Sequence, residues 1–312
     1  MDVARNRHSD ELVEAEALWD MDVVDKEAWV CRGCPTQVYP ASYDAAVNKR
    51  RPYFTLGRIN RHAEGCAVDA EHSIVSRGQK ERVGNSEGFP MPFPSKLILD
   101  DEPAGAAAGP VKLSFASSTL AAVHAAARAS VHARHHGHTI KTIRPACRTY
   151  IHFPNDREFL PLDIPGVWGK TYAQLFWFIP NKKPAFFTNP HHLFYAPIRW
   201  KEAPAASAVH CELILNAGEW DSAARRYLSL CRLRVDWSGW SPARRNTLLH
   251  EINTARAEAV EQARLDNQIK GWIFFVGTQD RDDPSLFHVD DERFICALAA
   301  RMRWPERQLA HA

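Results

Sequence analysis

Cys31-x2-Cys34 followed by His62-x3-Cys66 sets four soft donors in two close pairs, and no other feature constrains the chain as strongly. A two-residue gap lets a tight turn aim both thiolates at one point. A three-residue gap brings a histidine and a cysteine to the same side of one helical turn or compact loop. Two such pairs complete a tetrahedron, so the pattern predicts a structural Zn²⁺ held by Cys31, Cys34, His62 and Cys66. Gly33, inside the first pair, eases the backbone dihedrals of a knuckle whose amides face sulfur. With all four positions filled by protein, the centre is structural and not catalytic. The 27 residues between the pairs leave room for a hairpin, with strands expected at 37–41 and 52–56.

The surroundings of this cluster are basic and aromatic. Arg32, Lys49, Arg50, Arg51, Arg58 and Arg61 outnumber Asp44 and Glu64, and Trp29, Tyr39, Tyr53 and Phe54 are interleaved with them. Cations neutralise phosphates and aromatic faces stack on exposed bases, so Arg32, Lys49, Arg50, Arg51, Tyr53, Arg58 and Arg61 are expected nucleic-acid contacts. The formal net charge of the whole chain is only +2, so any such surface is local.

Trp29-Val-Cys-Arg-Gly-Cys-Pro, then Arg50-Arg-Pro-Tyr-Phe, then Arg61-His-Ala-Glu-Gly-Cys resembles the N-terminal zinc module of the competence protein CoiA-like family, over about residues 16–70. The resemblance implies a bacterial protein that handles DNA. Tyr53 stands where that family carries a histidine, which leaves His62 as the fourth ligand. The family's module usually precedes a nuclease domain of the PD-(D/E)xK type. Here the residue two beyond Glu212 is Ile214 and not lysine, so that motif is not present in its usual form.

Three segments follow from composition. Residues 1–83 read as the zinc module with a polar lead-in, 84–110 as a linker dense in proline and glycine, and 111–312 as a β-rich domain with C-terminal helices. Residues 97–99 are the one stretch of the linker expected to dock as a strand, and 71–87 reads as a short exposed helix or loop. An alanine-rich helix is expected from Ser117 to about Arg134. The histidines at its end, His132, His135, His136 and His138, read as a solvated patch. Strand-like text covers 148–153, 171–179, 193–200, 209–216 and 230–237, with 272–277 a further apolar strand. Ser241-Pro242 opens a helix expected to reach Gly271, and 291–303 reads as a last helix. The fold class is therefore α+β: a small zinc-binding hairpin module joined to a β-rich, OB-like barrel with flanking helices.

On that barrel Tyr195 with Arg199, and Arg232 with Arg234, share a strand face by the two-residue period and make a second expected nucleic-acid surface. The leading expectation is a zinc-containing nucleic-acid-binding protein that engages DNA more than RNA. A divergent PD-(D/E)xK-type metal-dependent nuclease is the alternative, with Glu212 and acids such as Asp163 or Asp236 holding Mg²⁺. A third reading is an adaptor whose zinc module binds a protein partner. The acidic N-terminal text lacks the apolar core of a secretory signal, and no apolar run is long enough to span a membrane. A cytoplasmic protein is expected, with Cys147, Cys211, Cys231 and Cys296 as reduced core thiols.

Overall fold

The computed structural model describes residues 1–84, 88–99, 137–187 and 191–305. The alanine-rich helix expected from Ser117 and the histidines His132, His135 and His136 lie outside them.

The N-terminal module begins earlier than a polar lead-in implies. β1 (Val3–Asn6) pairs antiparallel with β2 (Leu12–Glu14) on one edge and with β3 (Trp29–Cys31) on the other. Only Ala4 of β1 is fully buried, and its partner Cys31 lies 27 positions on, so local text carried no strand signal. The expected hairpin is present as β4 (Val38–Ala41) and β5 (Tyr53–Leu56). Mutual hydrogen bonds between Met1 and Phe54 tie the chain start to β5 at 2.8 and 2.9 Å. Ala4, Leu18, Trp29, Val38 and Phe54 form the small core beside the cysteines.

The helix expected within 71–87 is α1 (Glu71–Gly78). In the segment read as a linker, β6 (Phe93–Leu97) runs parallel to β7 (Gly137–Ile140), and Phe89, Met91, Phe93 and Leu97 are buried. The prolines fit because the ladder shifts register between Pro94 and Lys96. α2 (Arg144–His152), with Pro145 in its first turn, replaces the strand expected at 148–153. A single helical turn, α3 (Tyr172–Leu175), precedes β8 (Phe176–Phe178).

The large sheet curls on itself. β9 (His192–Pro197) pairs with β15 (Ile269–Gln279), which pairs with β16 (Leu286–Val289). β16 runs parallel to β14 (Arg232–Asp236), which is antiparallel to β11 (His210–Ile214). An Ile198–Leu215 bridge, with the Asn216 amide donating to the Pro197 carbonyl at 2.7 Å, returns the sheet to the end of β9. β10 (Ala205–Ala206) continues that edge along β11. The path β9-β11-β14-β16-β15-β9 is a five-stranded Greek-key barrel of the OB kind. β12 (Trp220–Asp221) and β13 (Arg226–Tyr227) form a hairpin between β11 and β14. α4 (Pro242–Gln262) connects β14 to β15 and places Leu248, Ile252 and Ala255 in the barrel core, closing that end.

β17 (Ile295–Arg301) occupies most of the region expected to be the last helix and pairs with β15. The reason is burial on both faces. Ile295 and Ala297 enter the barrel core, while Cys296 and Leu298 enter a second core shared with α2, β6 and β7. A strand buried on both sides reads as an unbroken apolar run, which periodicity alone does not separate from a helix. β15 is built the same way, with Ile273 and Phe275 on one side and Trp272 and Phe274 on the other.

α4 starts where its sequence indicates: the Ser241 hydroxyl accepts from the Arg244 amide at 3.3 Å, and Pro242 opens the helix. It stops at Gln262, short of Gly271, which lies in β15. There a Cβ would stand 3.2 Å from the Ala255 carbonyl oxygen, so glycine lets strand and helix approach closely. Ser241→Ala is expected to lower stability by about 1 kcal/mol in urea unfolding with an unchanged slope; an unaltered midpoint would contradict the cap assignment.

Candidate metal centre and basic surface

The four expected ligands converge. Cys31 ends β3, Cys34 sits in the turn after it, and His62 and Cys66 come from the loop following β5. The Cys31 and Cys66 sulfurs are 3.9 Å apart, and His62 Nδ1 lies 3.6 Å from Cys34 Sγ and 3.7 Å from Cys66 Sγ. All donor atoms fall within 4.8 Å of one another. A tetrahedral ion with metal–sulfur bonds of about 2.3 Å needs sulfur–sulfur edges of roughly 3.8 Å, so the spacing suits one ion.

Local structure holds this geometry. The Gly33 amide points to Cys31 Sγ at 3.4 Å, and the Cys31 amide donates to the Thr36 carbonyl at 2.8 Å, closing the knuckle. A Cβ on Gly33 would lie 3.1 Å from Cys66 Sγ, so the second ligand loop packs directly over the first. The Thr36 hydroxyl donates to the Arg61 carbonyl at 3.0 Å and fastens the two loops together.

The thiols are electrostatically unequal. Burial pushes Cys31 up to about 12, with Cys66 and Cys34 adding to the rise and the Gly33 amide opposing it. Burial also resists ionisation of Cys34, but Thr36, the Ala63 amide and His62 outweigh it and bring the thiol down to about 6. A divalent cation among the three would offset their mutual repulsion as thiolates.

The expected nucleic-acid contacts divide by environment. Tyr195 is not a surface group: it is buried, and its hydroxyl lies 3.0 Å from that of Tyr150. Its strand is covered on both faces, so the two-residue period did not give it a wet side. Arg51 is not a surface group either. It donates to Glu16 Oε1 at 2.9 Å and to the Ala297 carbonyl at 2.8 Å. Arg32 pairs with Glu71 at 2.7 Å and Arg199 with Glu202 at 3.0 Å. Arg232 and Arg234 both hold Glu212, at 3.3 and 3.0 Å, and Arg232 also reaches Asp283 at 2.9 Å. Burial of Glu212 is outweighed by these arginines, which keep its carboxyl below the usual range. Arg50 reaches Glu261 only at 4.0 Å. Lys49, Arg58 and Arg61 are exposed and have no carboxylate partner among the described residues, and Tyr53 is exposed at the start of β5.

Glu212, Asp163 and Asp236 are not gathered into a metal-holding group. Among the described residues the Cys31/Cys34/His62/Cys66 set is the group that meets that description. Cys147, Cys211, Cys231 and Cys296 are buried free thiols, and burial pushes Cys211 up to about 12 and Cys231 up to about 11. No helix among the described residues is long and apolar enough to cross a membrane.

Two features had no signal in local text. One is an ion network that joins the metal module to the barrel. Glu16 receives Arg51 and Arg148, at 2.9 and 2.5 Å. Glu251 of α4 receives Arg144 through two nitrogens, at 3.0 and 2.8 Å, and also accepts the Ala297 amide at 3.1 Å. Trp19 packs edge-on to His250 of α4 with ring centroids 4.6 Å apart. The other feature is a cavity of about 550 Å³ at the end of the barrel opposite α4, lined by aromatic rings and two lysines.

No protein-family model matches the chain, no curated protein matches it, and no solved structure matches it.

Proposed function

We propose that the protein is a zinc-containing nucleic-acid-binding protein, with a structural Zn²⁺ on Cys31, Cys34, His62 and Cys66 and a function in DNA uptake, processing or defence in the bacterial cytoplasm. The donor set supports the metal identity: three thiolates and one imidazole suit zinc, and protein fills all four positions. When bound, the ion supplies cross-linking between the β3 knuckle and the loop after β5 and leaves no position for substrate. The CoiA-like resemblance of residues 16–70 supports DNA as the polymer.

The observation that carries the binding role is the distribution of free cations. Arg32 and Arg51 are committed to Glu71 and Glu16, yet Lys49, Arg58 and Arg61 stand exposed and without a carboxylate partner among the described residues, on the same module as the exposed Tyr53. Cations so placed release counterions from phosphates on contact, and binding then weakens as salt rises.

The test is fluorescence anisotropy of labelled single- and double-stranded DNA across a salt series. Lys49→Ala, Arg58→Ala and Arg61→Ala together are expected to weaken binding and flatten the log–log salt slope by roughly 0.7–0.9 for each phosphate contact removed. A wild-type chain that binds neither DNA nor RNA at low salt would overturn the proposal.

A further inference from the structure

The two ends of the barrel are finished differently. α4 fills the end where β14 stops and β15 starts. At the opposite end, where β9, β14 and β16 begin and β15 ends, lies the cavity of about 550 Å³, within the range of small-ligand sites. Barrel mouths are a preferred place for such sites.

Exposed aromatic rings and two cations in its lining together select a ligand. Trp168, Trp177 and Phe186 line it and keep large exposed fractions of 67%, 41% and 59%, although each is an apolar ring. Lys182 and Lys183 also line it, are exposed, and have no carboxylate partner among the described residues. His192 lines it as well and is only 2% exposed, yet its Nδ1 has no hydrogen-bond partner. Burial and the adjacent His191 hold this imidazole below its ordinary value. Trp177 lies nearly parallel on His192, with centroids 4.3 Å apart and planes 22° apart.

The cavity wall is held in place before any ligand arrives. Gln279 accepts from the Phe187 amide at 2.9 Å and donates to the Ala185 and Pro284 carbonyls at 2.9 and 2.6 Å. One side chain at the end of β15 thus clamps the lysine-bearing loop to the β15–β16 loop. Pro180 and Pro184 bracket the two lysines and limit their backbone freedom.

We propose that this cavity holds an unpaired base of a single-stranded nucleic acid, stacked on the exposed indoles, with a flanking phosphate on Lys182 and Lys183. This deepens the nucleic-acid reading above and rests on it. Flat apolar walls suit a base face, and adjacent ammonium groups suit a phosphate. A purely apolar ligand would leave the lysines unused, and the two ammonium groups repel a cationic one. A duplex keeps its bases stacked inside and presents none to a concave site.

The probe is a fluorescein-labelled twelve-residue oligothymidylate, titrated against the full zinc-loaded chain beside the corresponding duplex. Trp177→Ala and the pair Lys182→Ala/Lys183→Ala are each expected to weaken single-strand binding about tenfold or more. Leu265→Ser, exposed at the closed end of the barrel, is expected to leave it unchanged. Photocrosslinking with a 5-iodouracil oligonucleotide is expected to label the tryptic peptide 171–182, which contains Trp177. The lysine pair is solvent-exposed, so its effect is readable even if Trp177→Ala compromises folding. Single-strand binding that survives both variants, with the crosslink mapping elsewhere, would overturn the cavity assignment and leave the nucleic-acid reading standing. A wild-type chain that binds no nucleic acid would overturn both.

Discussion

Cys66→Ser is expected to empty the metal centre and unfold the N-terminal module. The wild-type chain should carry one zinc per molecule by elemental analysis, and the variant close to none. The scale follows from what the ion does: structural zinc sites have apparent binding free energies of about 10–16 kcal/mol near neutral pH, comparable to or larger than the whole net stability of most domains. The module has few other resources. Its core consists of a handful of side chains around Trp29 and Phe54, and the three cysteines are themselves part of it. Serine retains the shape of the side chain but not its thiolate, so a failure of the variant reports on the metal bond. Limited proteolysis should then cut first within residues 1–70, while the barrel persists longer. A wild-type chain without zinc, or a Cys66→Ser variant that keeps it with an unchanged melting temperature, would refute the assignment.

How much of this was legible in advance depends on the range over which each interaction acts. The convergence of Cys31, Cys34, His62 and Cys66 is readable because each pair is local: two or three intervening residues fix the distance between donors whatever the rest of the chain does. The β4–β5 hairpin and the Ser241 cap were readable for the same reason, since turn and capping chemistry is written within a few residues. β11 and β14 alternate visibly because one face of each meets the barrel core and the other is wetter. β17 has no wet face, so its text does not separate it from a helix, and the two-residue period fails for Tyr195 because its strand, too, lies between two cores. The strand expected at 148–153 became a helix because Pro145 starts one, and its aromatic and β-branched text serves the second core instead.

Charge was the least legible property. Arg51 sits in a run of three basic residues next to an aromatic pair, which in isolation reads as a phosphate-binding surface. Its partners Glu16, Glu251 and Glu258 are as many as 207 positions away, and only the fold brings them to it. The barrel-mouth cavity was hidden similarly: Trp177, Lys182, His192 and Gln279 come from separate turns and strand ends. Local text announces groups able to bind something. Which of them remain free is a tertiary property, and among the described residues those that do include Lys49, Arg58 and Arg61 on the module and Lys182 and Lys183 at the barrel mouth.

The network around Arg51 makes the second large effect. Glu16→Ala is expected to cost about 3–5 kcal/mol, because it leaves Arg51 and Arg148 facing each other without the carboxylate that both hold. The same side chain should give stability a specific acid dependence. Burial opposes ionisation of Glu16, but Arg148, Arg144 and Arg51 outweigh it and bring the carboxyl from its ordinary 4.5 down to about 2. A folded-state value below the unfolded one contributes stability in full above the unfolded value and loses it as pH falls through the folded value. The window is therefore about pH 4.5 to 2, and the amount at stake is about 3 kcal/mol. Other carboxylates titrate in the same range, so the measurement is the stability difference between wild type and Glu16→Gln, followed by urea unfolding from pH 6 downwards. That difference is expected to be constant above about pH 5 and to shrink steadily below it. Because Glu16 belongs to the metal module and Arg148 and Glu251 to the barrel side, the same titration should loosen the docking of one on the other before either unfolds. A difference that stays flat down to pH 3, or a Glu16→Ala variant within 1 kcal/mol of wild type, would show that the arginines are satisfied without it.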